Sequence, residues 1–494
     1  MILADLLSGL TARISGSLEI PVKGVAYDSR KVGKGYLFVA IQGFSMDGHD
    51  YIEEALSRGA IAIVTEYGRG NKACGAEVIV EVSDSRIALA LIASEYYGRP
   101  SESLSLVGIT GTNGKTTTSF ITKSILEAGG MQTGLLGTVK YITGKKSSES
   151  VMTTPESLEL QGYLRDMVDA GMDYAVLEVS SHALSLKRVE GCNFKVGAFV
   201  NLSQDHLDFH GSMEEYYQAK KKLFSYISDD GYAVINQDDP AGERLCSELG
   251  NRMITCGTDA GCMLRAMNVE EQFNNKGKGR GVPSGMSFDI CTPESAFRVS
   301  TGLIGRFNVQ NILVAAGIAR SQGLGADVIT EGIRNALPVE GRFERVDEGQ
   351  AFLCVVDFAH TDDALLKLLT EIRHITAGKV ITVFGCGGDR DRSKRPLMGA
   401  VAAGLSDHIF ITSDNPRSED PVMIINEVIT GISRDNYTAV SDREEAIRAA
   451  VALAKEGDTL VVAGKGHEEY QIVQGVKHHF SDREVLVRAI REIV

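Results

Sequence analysis

A β-rich run at residues 104–110 leads into Gly111-Thr112-Asn113-Gly114-Lys115-Thr116-Thr117, and a helix is expected over 116–128, stopped by Gly129-Gly130. A glycine-rich turn between a strand and a helix points successive backbone N–H groups at a phosphate and sets the helix N-terminus beside it. Lys115 would neutralise the outer phosphates, and Thr116 would offer its hydroxyl to Mg²⁺. The strict phosphate-loop spacing fails at one place, because Ile109 occupies the position of its first glycine. Gly111 and Gly114 still supply permissive backbone. The chemistry expected here is the binding of a nucleotide's phosphates through residues 111–117.

Two further strands are expected at 174–179 and 196–202. The first ends in Glu178, followed by Ser180, Ser181 and His182; the second runs into Asn201 and then Asp205-His206. As parallel neighbours of the loop strand they would deliver Glu178 and His206 to its carboxyl edge, where a metal and a nucleotide would sit. On spacing alone the two read equally well as solvated turn residues. Ser212-Met213-Glu214-Glu215 forms a capping box, and Met213, Tyr216, Tyr217, Leu223, Phe224 and Ile227 then share a helix face with Lys220. Burial there would favour the neutral amine, the form able to add CO₂, although a lysine in a Lys-Lys-Lys run is ordinarily solvated. Near the C-terminus, Asp414-Asn415-Pro416-Arg417 is by itself a plain turn.

These residues need elements to hold them. The 494 residues imply two to four domains. With 51 Lys and Arg against 65 Asp and Glu, the net charge of −14 argues against a nucleic-acid-wrapping protein. Hydrophobic content of 43% and charged content of 23% suit a globular chain. The eight cysteines form no CxxC pair, so neither a zinc knuckle nor a disulfide framework is supported and a reducing cytosol fits best. No apolar run approaches a membrane span, and the N-terminus lacks the charge order of a secretory signal, so a soluble cytoplasmic protein is expected. The pattern divides at the turn Gly98-Arg99-Pro100 and again near 337. The reading is α/β in three domains: a small unit at 1–100, a central parallel-sheet unit at 101–336, and a C-terminal unit at 337–494 whose alternating strands and helices imply a Rossmann-like parallel sheet. Residues 274–287 read as a flexible loop within a small antiparallel excursion.

Taken together, the loop, Glu178 to His182, Asn201 to His206 and the C-terminal segments resemble the Mur ligase family, the ATP-dependent amide ligases of peptidoglycan precursor synthesis. The likeness runs over nearly the whole chain and is greatest to members that add meso-diaminopimelate. It implies that 1–100 binds a uridine nucleotide through Tyr27-Asp28-Ser29-Arg30 and residues 43–49, with Ser29 a substrate contact. Thr153, Thr154, Ser180 and Arg188 match contacts to the sugar-peptide, and Gly341-Arg342-Phe343-Glu344 matches the entry to the third domain. Asn308, Asn311, Arg342 and Asp357 are implied nucleotide contacts. Glu178 and His206 are implied metal-site residues, with Thr116, and Lys220 matches a lysine that the family carbamylates near a second Mg²⁺. Asp414, Asn415, Pro416 and Arg417 match the diaminopimelate signature, with Arg390, Gly464 and Glu468 completing the pocket. A guanidinium suits the distal carboxylate that lysine lacks. Where the family has Asp-Tyr-Ala-His-Thr-Pro-Asp, this chain has Asp357-Phe358-Ala359-His360-Thr361-Asp362-Asp363, losing a phenol and a proline.

The expected reaction joins meso-diaminopimelate to the D-glutamate γ-carboxylate of a UDP-N-acetylmuramoyl dipeptide through an acyl phosphate, with ATP and Mg²⁺, in a monomer without nucleic-acid or membrane partners. The competing readings are a lysine-adding relative, a folylpolyglutamate synthetase, and a nucleotide switch that makes no amide bond.

Overall fold

A computed structural model describes residues 1–43, 46–250, 252–274 and 282–494. β-Branched and aliphatic runs build three sheets. The first orders its strands Arg13–Ser15, Val78–Val82, Ala60–Glu66, Tyr36–Val39 and Gly24–Ala26. All its neighbours are parallel except Arg13–Ser15. Part of the expected uridine segment, residues 44–45, lies outside the described residues.

The second sheet has eleven strands. Its centre is parallel: Thr133–Leu136, Tyr174–Glu178, Ser105–Thr110, Phe194–Phe199, Ile227–Asn236 and Arg252–Gly257 lie side by side. Its flanks are antiparallel, formed by Lys140–Thr143 with Lys146–Glu149 and by Leu264–Asn274, Val282–Cys291 and Ala296–Thr301. Of the expected loop at 274–287, residues 275–281 lie outside the described residues, whereas 282–287 belong to a strand. The correction has a simple cause. Met286, Phe288 and Ile290 alternate onto one face and are buried, an apolar period that the surrounding glycines masked in the sequence.

The third sheet orders Glu344–Arg345, Leu353–Asp357, Thr459–Ala463, Val380–Phe384, His408–Ile411 and Tyr437–Ala439, parallel from the second strand onward. An antiparallel hairpin, Tyr470–Val473 with Val476–His479, stands apart from it. Each sheet is sandwiched by helices over its own apolar cluster, which makes its strand ends rigid points of attachment. Among the described residues no helix is long and apolar enough to cross a membrane, and all eight cysteines are free.

Candidate active site

The strand Ser105–Thr110 lies between Tyr174–Glu178 and Phe194–Phe199, both parallel to it. Glu178 and Asn201 therefore emerge on either side of the loop. Helix Lys115–Ala128 starts directly after Gly114, whose φ of +81° is left-handed. A β-carbon there would lie 2.3 Å from Asn311 Oδ1, so glycine is required both for the turn and for the close approach. Asn311 in turn donates to Asn308 Oδ1 at 2.8 Å, and Thr118 donates to Asn311. The loop is also held from its far side: Asn113 N donates to Asn201 Oδ1 and Thr112 N to Asn201 O, both at 2.9 Å, and Ser203 N donates to Thr112 Oγ1. Asn201, expected at the end of its strand, and Ser203 are thus loop-shaping residues, a role that spacing alone assigned to neither.

Glu178 is 1% exposed. Its carboxylate accepts from Thr116 Oγ1 at 2.9 Å and from the N–H and hydroxyl of Thr138 at 2.8 and 2.9 Å. Lys115 Nζ donates to Gly111 O and Thr112 O, each at 2.9 Å. Lys220, 1% exposed, donates to the same Gly111 carbonyl at 2.7 Å and lies 4.4 Å from the Tyr216 ring centre. Burial pushes both ammonium groups toward neutrality, and the two reinforce one another at Lys220, which is held well below the ordinary lysine range. The helix bearing it runs over Met213–Lys221 and tightens to a 3₁₀ turn at Lys222–Tyr226. Tyr216, Tyr217, Leu223 and Phe224 are buried as expected, but Met213, in the first turn, is 36% exposed. The tightened turn departs from the single 3.6-residue stripe on which Met213 had been aligned with Leu223 and Phe224.

His206 has a left-handed φ of +53° and sits 3.4 Å from Asp205. Burial holds its imidazole down at about 4. Its ring meets His182 edge-on at 4.8 Å, while His182 stacks on Phe209 at 4.2 Å and faces His210 at 5.6 Å. His182 and His210 were not among the expected site residues; their signal was proximity of two His-bearing segments, which only folding creates. The four expected metal-side residues fall into three groups. Thr116 and Glu178 share a hydrogen bond, Lys220 shares an acceptor with Lys115, and His206 belongs to the imidazole cluster. Among the described residues no three His, Cys, Asp or Glu side chains are grouped as a metal cage. The oxygen donors Thr116 and Glu178 suit Mg²⁺, which binds through one or two protein oxygens together with substrate phosphates.

Thr154 Oγ1 donates to the carbonyl of Glu178 at 2.8 Å and Ser180 N donates to Thr154 Oγ1 at 3.1 Å. Arg188 donates to Thr154 O at 3.1 Å and to Glu156, and Thr153 Oγ1 lies 3.2 Å from Thr138 Oγ1. These four residues therefore gather near the Glu178 end of the strand that neighbours the loop strand. Ser29 lies in the first sheet's unit, donating to Glu54 at 2.9 Å, and makes no bond to that group.

Arg342 of the third unit lines one cavity together with Asn308 and Thr117 of the second. The Arg342 Nε is buried with no hydrogen-bond partner among the described residues, and its guanidinium lies 4.6 Å over the Phe358 ring. The ring that replaces the family's phenol thus packs a cation. Asp357 accepts from Phe343 N and Ala359 N at 2.7 and 2.8 Å, and burial raises its carboxyl. Ser203 Oγ donates to Asp363 at 2.8 Å and Lys140 pairs with Glu340 at 2.9 Å, linking the second and third sheets' units.

At the carboxyl ends of the third sheet, Asp414 and Asn415 are buried. Arg417 has a left-handed φ of +53°. Its N–H donates to Ile472 O at 2.9 Å and its carbonyl accepts from Gln474 N at 2.7 Å, so the hairpin clamps the backbone. Its guanidinium donates to Gly388 O at 2.6 Å and, among the described residues, meets no carboxylate. Gly464, at φ +114°, lies so near that a β-carbon would stand 2.9 Å from Asp414 Oδ2. Asn415 donates to Glu468 at 2.9 Å. Pro416 precedes Arg417 and is buried; Arg390 is exposed and makes no hydrogen bond or ion pair among the described residues.

The Mur ligase middle domain matches residues 109–319, the Mur ligase glutamate ligase domain 341–466, and the Mur ligase family catalytic domain 21–97. A UDP-N-acetylmuramoyl-L-alanyl-D-glutamate--2,6-diaminopimelate ligase of Clostridium botulinum is 46% identical over 96% of this chain and 96% of its own. The chain belongs to the Mur ligase family. Another Mur ligase of the same name, from Geobacter metallireducens, is 42% identical over 97% of this chain and 96% of its own. A solved structure with that name superposes with a TM-score of 0.68 at 30% identity, covering 100% of this chain and 99% of the other. Family membership accounts for the loop, its flanking strands and the paired third unit as one Mur ligase architecture.

Proposed function

We propose that this Mur ligase is an ATP-dependent, amide-bond-forming enzyme that adds meso-2,6-diaminopimelate to the D-glutamate γ-carboxylate of UDP-N-acetylmuramoyl-L-alanyl-D-glutamate, in peptidoglycan precursor synthesis. The observation that carries the acceptor is Arg417. Its main chain is held by backbone bonds on both sides, and its half-buried guanidinium has no acidic partner among the described residues. Such a group is suited to a ligand carboxylate, and diaminopimelate has a distal one. Glu468 stands close by for an ammonium. The relatives of that name, similar over nearly their full length, support the same reading.

In this reading residues 1–100 hold the uridine nucleotide, with Ser29 a contact; 101–336 hold ATP at Gly111 to Thr117, with Asn308, Asn311, Arg342 and Asp357 on the nucleotide side; and 337–494 hold the amino acid. Thr153, Thr154, Ser180 and Arg188 position the peptide acid beside Glu178. A γ-carboxylate oxygen attacks the γ-phosphorus and ADP leaves, while Lys115 and the loop N–H groups meet the charge on the transferred phosphoryl group. The neutral acceptor amine then attacks the acyl carbon, phosphate departs and the amine loses a proton. Thr116 and Glu178 would hold Mg²⁺, which would neutralise phosphate charge, with His206 and Lys220 serving a second ion. Neutral Lys220 is the form that adds CO₂, creating an N–C bond and releasing a proton to give a carbamate. Contacts such as Ser203 to Asp363 would keep the third unit against the second and exclude water from the acyl phosphate. The enzyme would work in the cytoplasm as a monomer on these small molecules.

The test is phosphate release from ATP with the nucleotide dipeptide, with and without diaminopimelate. Sustained release that needs the acceptor amine is expected. Release indifferent to it would favour a nucleotide switch and overturn the ligase assignment, while equal use of lysine would overturn the acceptor.

A further inference from the structure

Lys465 is 0% exposed, yet neither the phosphate loop nor the reaction just described employs it. A buried ammonium is costly unless its hydrogen bonds and charge are met. Its partners are few and all lie in the amino-acid pocket. Nζ donates to Asn415 Oδ1 at 3.2 Å and to Glu468 Oε2 at 3.3 Å, and the Tyr470 ring centre is 5.7 Å away. Among the described residues no backbone carbonyl accepts from it. Its surroundings are fixed in turn: Arg443, buried and paired with Asp482, donates to the carbonyls of Ser413 and Ala463, the residues just before the two pocket loops.

The bonds define the orientation of the pocket. Asn415 Oδ1 receives Lys465 Nζ and Ile472 N at 3.0 Å, so its amide cannot turn over without facing donors to donors, and its Nδ2 is directed to Glu468 Oε2 at 2.9 Å. Glu468 therefore has one oxygen held by two donors. The other, Oε1, has among the described residues only the Tyr470 hydroxyl, at 3.5 Å. A carboxylate with one oxygen clamped and one left open is arranged to receive a cation at the open side. The acceptor's reacting amine must be neutral to attack, so the cation that persists through the reaction is the non-reacting, distal ammonium. We infer that Lys465 is a positioning residue that fixes Asn415 and Glu468 so that Glu468 Oε1 selects acceptors carrying a distal ammonium next to the carboxylate held by Arg417. This inference rests on the amino-acid site proposed above.

The experiment compares meso-diaminopimelate with 2-aminopimelate, a diacid that lacks the distal amine, in acceptor-dependent phosphate release. In Lys465→Met the ratio of the two kcat/KM values is expected to fall about tenfold, the scale of one hydrogen bond to a charged group, through a higher KM for diaminopimelate with kcat and the ATP KM held within about twofold. Damage to the fold alone would lower both acceptors alike and leave the ratio unchanged, which would overturn the inference. Because a single change leaves Glu468 without its cation, the double variant Lys465→Met/Glu468→Gln removes the pair as a neutral unit. It should match Glu468→Gln alone within about twofold in diaminopimelate kcat/KM, as expected for a residue acting only through Glu468. A further loss of about fivefold or more in the double variant would refute that route. Arg417→Ala separates the two levels: if that variant keeps full selectivity for diaminopimelate over lysine, the site assignment itself fails; if it loses selectivity while the Lys465 variants keep their ratio, only the present inference fails.

Discussion

Replacing Arg417 tests the acceptor site most directly. Its guanidinium spends one contact on Gly388 O, at 2.6 Å, and meets no carboxylate among the described residues, which leaves a pair of N–H donors for a bidentate bond with a ligand. Its backbone is held by Ile472 O and Gln474 N irrespective of side chain. Arg417→Lys and Arg417→Ala both keep a β-carbon, so the left-handed φ of +53° is no more strained in the variants than in the parent. The loss is therefore assignable to the side chain. Truncating one partner of a desolvated, hydrogen-bonded charge pair costs about 2 to 5 kcal/mol, so at about 3 kcal/mol the alanine variant should lose roughly a hundredfold in kcat/KM for diaminopimelate. Lysine substitution restores a point charge without the fork, and a loss of about tenfold is expected. Lysine as acceptor has no distal carboxylate, and its much lower kcat/KM should change less than about threefold. The assay is acceptor-dependent phosphate release with each amine, alongside ATP binding, which should be unaltered. Equal losses for diaminopimelate and lysine, or selectivity unchanged from the parent, would refute the reasoning.

Lys115→Ala should abolish acyl-phosphate formation with an unchanged circular dichroism spectrum; turnover at the parental rate would remove the phosphate-loop assignment. Gly114→Ala places a β-carbon 2.3 Å from Asn311 Oδ1 at a φ of +81°, and the left-handed backbone alone costs about 1 to 2 kcal/mol, so nucleotide affinity measured by titration should fall about tenfold or more. Lys220 has a folded pKa held below its unfolded one, so in CO₂-free buffer the unfolded chain takes up the proton and Lys220 weakens the fold at neutral pH. Lys220→Met should accordingly melt higher than the parent at pH 7, with the gap closing as pH rises toward roughly 10.4, the unfolded lysine value; a gap independent of pH would contradict neutral burial. In ¹³C-enriched bicarbonate, a carbamate resonance is expected from the parent protein and absent from Lys220→Met.

The primary sequence carried local features well because local features are short-range. The phosphate loop was visible from glycines between a strand and a helix, and the structure begins that helix at Lys115, one residue earlier than expected. The alternating strands past residue 337 were visible from their apolar runs, and they form the parallel part of the third sheet. Glu178 and Asn201 reach the loop because their strands flank it, as parallel spacing suggested. The strand at 282–291 was obscured because glycine, proline and serine are turn formers whose propensity was overridden by pairing on both sides.

What the chain determined by itself was therefore the set of chemical groups and the elements on which they stand: a glycine turn before a lysine, an acid at a strand end, a guanidinium in a turn. Tertiary structure decided which distant groups meet. The three histidines at 182, 206 and 210, the shared acceptor of Lys115 and Lys220, and the pinning of Asn415 by Lys465 all join residues separated along the chain, and no periodicity encodes such meetings. The physical reason is that burial and hydrogen-bond satisfaction are properties of packed surroundings: the same lysine is a solvated charge on a bare helix and an ammonium pushed toward neutrality where the loop packs over it.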